Sequence, residues 1–175
     1  MFMSSNLDIQ VQGFPELIAK IEKLRTDRSK KREMIGILKQ VASGTVKAAK
    51  RNAPVSKKPH VISGSRTRKI IQPGNLRKSI GTIVAKKGAA VDNPTVAVGP
   101  RAKGKNDGWY GNFVDQGHKT YKGKKRNNRR NATNVKGFVD GKFFMKQTFR
   151  ETEGKATADT EQKIAKYIQR KLERL

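Results

Sequence analysis

Between Glu33 and Asp92 the chain has no acidic residue but carries thirteen lysines and arginines. They are Lys39, Lys47, Lys50, Arg51, Lys57, Lys58, Arg66, Arg68, Lys69, Arg77, Lys78, Lys86 and Lys87. A second acid-free window, from Asp115 to Asp140, holds Lys119, Lys122, Lys124, Lys125, Arg126, Arg129, Arg130 and Lys136. These windows supply much of a net charge of +26, and self-repulsion on that scale opposes compaction at low salt. Only 34% of the residues are hydrophobic, so the core is modest for 175 residues. Such a chain gains if copies of itself complete the core and if a polyanion or acidic protein offsets the charge.

The length fits one domain over residues 1–175. Leu7, Ile9 and Val11 alternate with Asp8, Gln10 and Gln12, the period of a half-buried strand. Phe14-Pro15-Glu16 opens a helix, with Leu17, Ile18, Ile21 and Leu24 on one face. From Thr26 the apolar positions Met34, Ile37, Leu38, Val41, Thr45, Ala48 and Ala49 recur at helical steps until Pro54 stops the run. Its small residues, Gly36 and Gly44 among them, allow close approach by another element.

Val55 to Pro73 reads as a long basic loop, and Gly74 to Lys78 as a helical turn. Ile80, Thr82 and Val84 form a strand that pairs through a hairpin with Thr95 to Gly99. Trp109 to Gln116 reads as a short helix ended by Gly117, followed by a basic loop or flexible hairpin over about 119–137. Phe138 to Gly141 reads as a turn. Lys142 onward reads as a C-terminal helix using Phe144, Thr148, Ile164, Ile168, Leu172 and Leu175, with Gly154 a point of break or bend. The expected class is α+β: a small, mainly antiparallel sheet packed by the long helix and the C-terminal helix, with long basic loops.

The sequence carries no recognisable catalytic set. There are no cysteines, which removes disulfides, thiolate ligands and cysteine nucleophiles. His60 and His118 stand apart without a second ligand at metal-binding spacing, and Ser63 and Ser65 lack a nucleophile elbow. Asp107, Asp115 and Asp140 could gather around a divalent ion as in a nuclease, but each has a simpler role. Asp115 suits a cap or a lysine pair, and Asp140 suits a turn. GPRAKGKNDG lacks the phosphate-cradling G-x-x-x-x-G-K-[ST] pattern. The beginning, MFMSSNLDIQVQG, lacks the basic region and apolar run of a signal peptide, and no window approaches the ~18 apolar residues of a membrane span. No enzymatic activity, cofactor or metal is expected.

The informative segment is Trp109 to Asn131, aromatic in its first half and basic in its second. On a helix Tyr110, Phe113 and Val114 share a face, with Trp109 at its edge. A helix this short buries little alone, so its rings gain most when the sheet or a neighbouring subunit covers them. The basic half can reach phosphate, acidic protein or water. No helix-turn-helix, zinc-finger or RNA-recognition pattern indicates base reading.

The order of segments resembles the head–tail joining or tail-completion proteins of tailed bacteriophages, a group that includes many tail terminators. The resemblance rests on VQGFPELIAKIEKL, AAKRNAPV, GNLRKSI, VAVGP and YGNFVDQGHKT in sequence. It departs at Asp115, where glutamate is usual, at GKFFMKQTF, where a proline-bracketed motif is usual, and at the longer basic insertion around KKRNNRRN. The resemblance implies a structural, non-enzymatic virion protein at the phage neck, assembled in the bacterial host cytoplasm. Its partners would be itself, as a hexameric ring, the connector or stopper, the tail tube, and DNA held non-specifically in the lumen, with no membrane. Trp109, Tyr110, Phe113, Val114, Asp115 and Gly117 are the candidate core or subunit anchors. Lys119, Lys122, Lys124, Lys125, Arg126, Arg129, Arg130, Arg66, Arg68 and Lys69 are the candidate DNA- or partner-facing set. Two other readings are a monomeric, sequence-independent nucleic-acid-binding protein and a small metal-dependent nuclease.

Overall fold

Two long helices frame the protein. The computed structural model describes residues 14–26, 30–63, 68–85, 93–102, 105–121 and 135–174, so the strand expected at Leu7 to Val11 lies outside the described residues. Helix α2 (Lys30–Asn52) packs on α5 (Phe144–Glu173). Lys171 Nζ donates to Glu33 Oε1 at 2.8 Å, Lys163 Nζ to Gln40 Oε1 at 3.4 Å, and Asn52 Nδ2 to Thr148 Oγ1 at 3.2 Å. The numbers rise along one helix as they fall along the other, so the pair is antiparallel. Helix α1 (Phe14–Thr26) lies by the C-terminal end of α5, where Lys20 Nζ donates to the Leu172 carbonyl. Of the apolar face expected on α1, Ile18 and Ile21 are half exposed.

The close approach expected of small residues occurs at one end of α2. Ala48, Ala49 and Ala53 are buried, while a Cβ added at Gly36 or Gly44 would meet nothing within 4 Å. The helix stops as Pro54 requires, with the Ala53 amide still donating to Ala49. Helix α5 continues through Gly154 without a break. One glycine costs about 1 kcal/mol in a helix, too little to interrupt a helix whose Phe144, Thr148 and Tyr167 are buried.

The class is α+β, as expected, but among the described residues the strands form three separate antiparallel pairs. Strands β3 (Ile80–Val84) and β4 (Val96–Pro100) pair with Ile80 opposite Pro100 and Val84 opposite Val96. The expected long loop before them contains β1 (His60–Ser63) and β2 (Arg68–Ile71), which pair with His60 opposite Ile71. Prolines, serines and charge obscured two short β-branched runs there, and Ile71 is buried. A third hairpin joins β5 (Gly117–Tyr121) to β6 (Val135–Asp140). Phe138 to Asp140 is therefore strand and not turn, because pairing with Gly117 to Lys119 outweighs the local turn signal of Asp140-Gly141. Helix α3 (Asn75–Ser79) is the short turn expected before β3.

Ala49, Ala53, Leu76, Ile80 and Phe144 form the core. Val46, Val98, Tyr110, Val114 and Met145 pack around it. Helix α2, helix α3, β3 and the start of α5 thus converge where the short helix α4 (Gly111–Gln116) docks.

Candidate functional site

Three local features fix α4. A Cβ at Gly111 would stand 2.5 Å from Pro100 Cγ and 3.1 Å from Leu76 Cδ1, so only glycine lets the helix start this close to β4 and α3. Asn75 Nδ2 donates to the Asp107 carbonyl at 2.8 Å and to the Tyr110 hydroxyl at 3.2 Å, tying the entering turn to α3. Gly117 closes the helix at φ 81°, a left-handed backbone that glycine adopts without steric cost.

Asp115 joins α4 to α5. Its carboxylate is buried; Oδ1 accepts the Met145 amide at 2.9 Å and Oδ2 accepts Gln116 Nε2 at 2.9 Å. The Asp115 carbonyl accepts the Phe143 amide, and the Val114 carbonyl accepts that of Lys142. Phe143, at the N-cap of α5, has φ 49° and offers no side-chain acceptor. Asp115 therefore performs the capping role from another element, where its charge also suits the positive end of the helix dipole. Of the two roles open to it in sequence, the cap is the one formed.

The aromatic residues divide. Tyr110 and Val114 pack on the core, while Trp109 and Phe113 are 47% and 45% exposed. At 3.6 residues per turn, Phe113 lies about 100° around the helix from Val114, so a narrow buried arc that takes Tyr110 and Val114 leaves it outside. Tyr110, Phe113 and Val114 line one groove, as their shared face predicts, with Phe113 as its exposed edge. Trp109 meets Phe113 edge-on with centroids 6.0 Å apart, and Phe113 meets the His118 ring at 5.6 Å. His118 Nδ1 is buried and finds no hydrogen-bond partner among the described residues.

These rings wall an open groove of about 910 Å³. Val61 and Ile71 of the β1–β2 hairpin line it together with Trp109, Phe113 and Tyr121. Lys119 and Lys142 lie on its lining, which includes no carboxylate among the described residues. Beyond it, Lys142, Lys146 and Arg150 line a shallow concavity beside Phe143 and Glu151. The four-residue spacing of Lys146 and Arg150 places them on one side of α5, and Lys142 precedes the helix. Glu151 closes the row: hydrogen bonds from Asn52 and Gln147, then the Arg51 guanidinium, hold its carboxyl below the ordinary value of 4.5.

The basic residues singled out in sequence fall into three groups. Lys119 is exposed on β5, and Arg68 and Lys69 lie in β2 opposite Ser63 and Ile62. Arg66, Lys122, Lys124, Lys125, Arg126, Arg129 and Arg130 lie outside the described residues. The three aspartates are not brought together as a ligand set: Asp107 Oδ1 accepts the Trp109 amide, Asp115 caps α5, and Asp140 is exposed on β6. No group of three or more His, Asp or Glu that could hold a metal occurs among the described residues. Nor is any described helix long and apolar enough to cross a membrane.

Residues 15–117 match the family described as "Bacteriophage HK97-gp10, putative tail-component". The chain belongs to this HK97-gp10-like family. The match runs from the start of α1 to Gly117 at the end of α4, so it includes the α2 core face, the β3–β4 hairpin and the glycine-fitted short helix. The β5–β6 hairpin and α5 follow it. No curated protein and no solved structure matches the chain. Membership of the HK97-gp10-like family makes this a structural component of a phage tail and a protein of the virion.

Proposed function

We propose that the protein is a tail-completion or tail-terminator subunit of the phage neck. It assembles as a hexameric ring that joins the tail tube to the head-side connector around the DNA channel. The observation that carries this reading is the half-exposed pair Trp109 and Phe113 on an apolar groove in a chain with a small core. Apolar surface of this kind marks an interaction site when it is contiguous and rimmed by charge. The tail-component family supports a place in the virion, and the net charge of +26 supports DNA as the polyanion within the ring. The protein acts by assembly, with no catalytic step and no cofactor. Its apolar contacts supply affinity, and its charges set encounter rate and register.

Light scattering at low and high salt tests the ring. A discrete oligomer that persists at high salt without DNA is expected, and Phe113→Lys should shift it toward monomer. An oligomer that dissolves in salt and is indifferent to Phe113→Lys would refute the apolar interface. The charge also favours a second reading, a sequence-independent nucleic-acid-binding monomer. That reading requires tight duplex binding without a ring, with affinity falling roughly a thousandfold or more between 50 and 200 mM salt.

A further inference from the structure

The groove beside α4 has a specific occupant available within the chain. Residues 1–19 form the longest stretch of the sequence without a lysine or arginine. Within it, Leu7, Ile9 and Val11 alternate with Asp8, Gln10 and Gln12, a strand pattern with one apolar face. The groove presents Val61, Ile71, Trp109, Phe113 and Tyr121, and Lys119 and Lys142 on its lining meet no carboxylate there among the described residues. An apolar strand that adds no positive charge fits this surface better than any other stretch of so basic a chain. Strand β1, which contributes Val61, pairs only with β2 among the described residues, leaving its outer edge open to a further strand.

Reach decides whose segment it is. Helix α1 is tied to the far end of α5 by the bond from Lys20 to Leu172, whereas the groove lies by Lys142. Phe144 to Leu172 spans about 42 Å of helix at 1.5 Å per residue. From Lys20 back to Phe14 recovers at most about 9 Å along α1, and the lysine side chain a few more. Five extended residues from Phe14 to Ile9 add about 17 Å, which leaves Ile9, the middle of the segment, short of its own groove.

We infer that residues 7–11 of one copy bind as a strand in the α4 groove of a second copy, adding to β1 and covering Trp109 and Phe113. The inference rests on the reading of this groove as a subunit interface, and it supplies the device that links one copy to the next. The mode is strand addition, in which backbone hydrogen bonds give affinity and alternate side chains give specificity.

The chain has no cysteine and a single tryptophan, so two clean probes exist. In Ile9→Cys/Val61→Cys, a flexible bismaleimide should link different copies into a ladder of multiples on a denaturing gel. Linkage within one chain, or none, would overturn the exchange. In Ile9→Lys/Val11→Lys, Trp109 emission should shift to the red of the unmodified protein. A synthetic peptide of residues 1–13 should reverse that shift, and Phe113→Lys introduced into the same variant should abolish the reversal. Peptide binding is read whether or not a ring forms, so failure of the strand and failure of the ring are separable. Unchanged emission together with no response to the peptide would overturn the inference even if the ring persists.

Discussion

Asp115→Ala should destabilise the protein by about 2 kcal/mol. The carboxylate is buried and accepts the Met145 amide at the first turn of α5, while the N-cap residue Phe143 cannot replace it. Loss of a helix cap costs about 1 kcal/mol. Removing the negative charge from the positive end of a partly buried helix dipole adds roughly 0.3–1 kcal/mol, and the side-chain amide of Gln116 loses its partner as well. Asp115→Asn keeps an acceptor and gives up the charge, so it should cost about half as much. The measurement is urea unfolding at one fixed protein concentration, because an oligomer's midpoint depends on concentration. Asp140→Ala, at an exposed position on β6, is the control. If Asp115→Ala shifts the midpoint no more than Asp140→Ala does, then α5 does not depend on this cap and the account of how α4 is joined to it is wrong.

Gly111→Ala places a Cβ 2.5 Å from Pro100 and should cost about 1–3 kcal/mol, lowering the thermal midpoint while far-UV circular dichroism still shows both long helices. Phe144→Ala, in the core, should cost about 3–5 kcal/mol, whereas Phe149→Ala on the same helix should change the urea midpoint little because Phe149 is 59% exposed. Glu151 has its pKa lowered in the folded protein, so the stability it lends to the α2–α5 contact is present above pH 4.5 and is lost as pH falls through the lower folded value. Glu151→Gln should therefore flatten the acid limb of a stability–pH curve, by a small amount because the Arg51 ion pair is at the surface. Reversing Lys142, Lys146 and Arg150 to glutamate should lower the salt dependence of duplex binding if that row faces DNA.

Much of the frame was legible because its signals are local. Helical periodicity and Pro54 located α2, and strand alternation located β3 and β4. Helix α4 starts two residues later than the expected Trp109 and ends as expected at Gln116, because Gly117 adopts the positive φ that follows it. The missed elements have weak local signals and distant partners. The β1–β2 hairpin is eight strand residues among lysines, prolines and serines, given value by burial of Ile71. The end of β6 depends on pairing with residues about twenty positions earlier. The segment from Trp109 to Gln116 could be singled out by its aromatic residues, but which of its rings face outward could not.

The sequence by itself determined the charge, the helix-forming runs, the short helix between its glycines and the absence of any cysteine chemistry, because these depend on composition and on neighbours within a few residues. Only the tertiary structure decided that the Asp115 carboxylate caps α5 at the Met145 amide, 30 residues later, that Tyr110 turns inward and Phe113 outward, and that the β1–β2 hairpin helps line a groove. A side chain's exposure depends on what other elements cover it, and a cap depends on where a distant amide is held. Neither is encoded in the residue's own neighbourhood, so both appear only when the long helices, the hairpins and α4 are packed together.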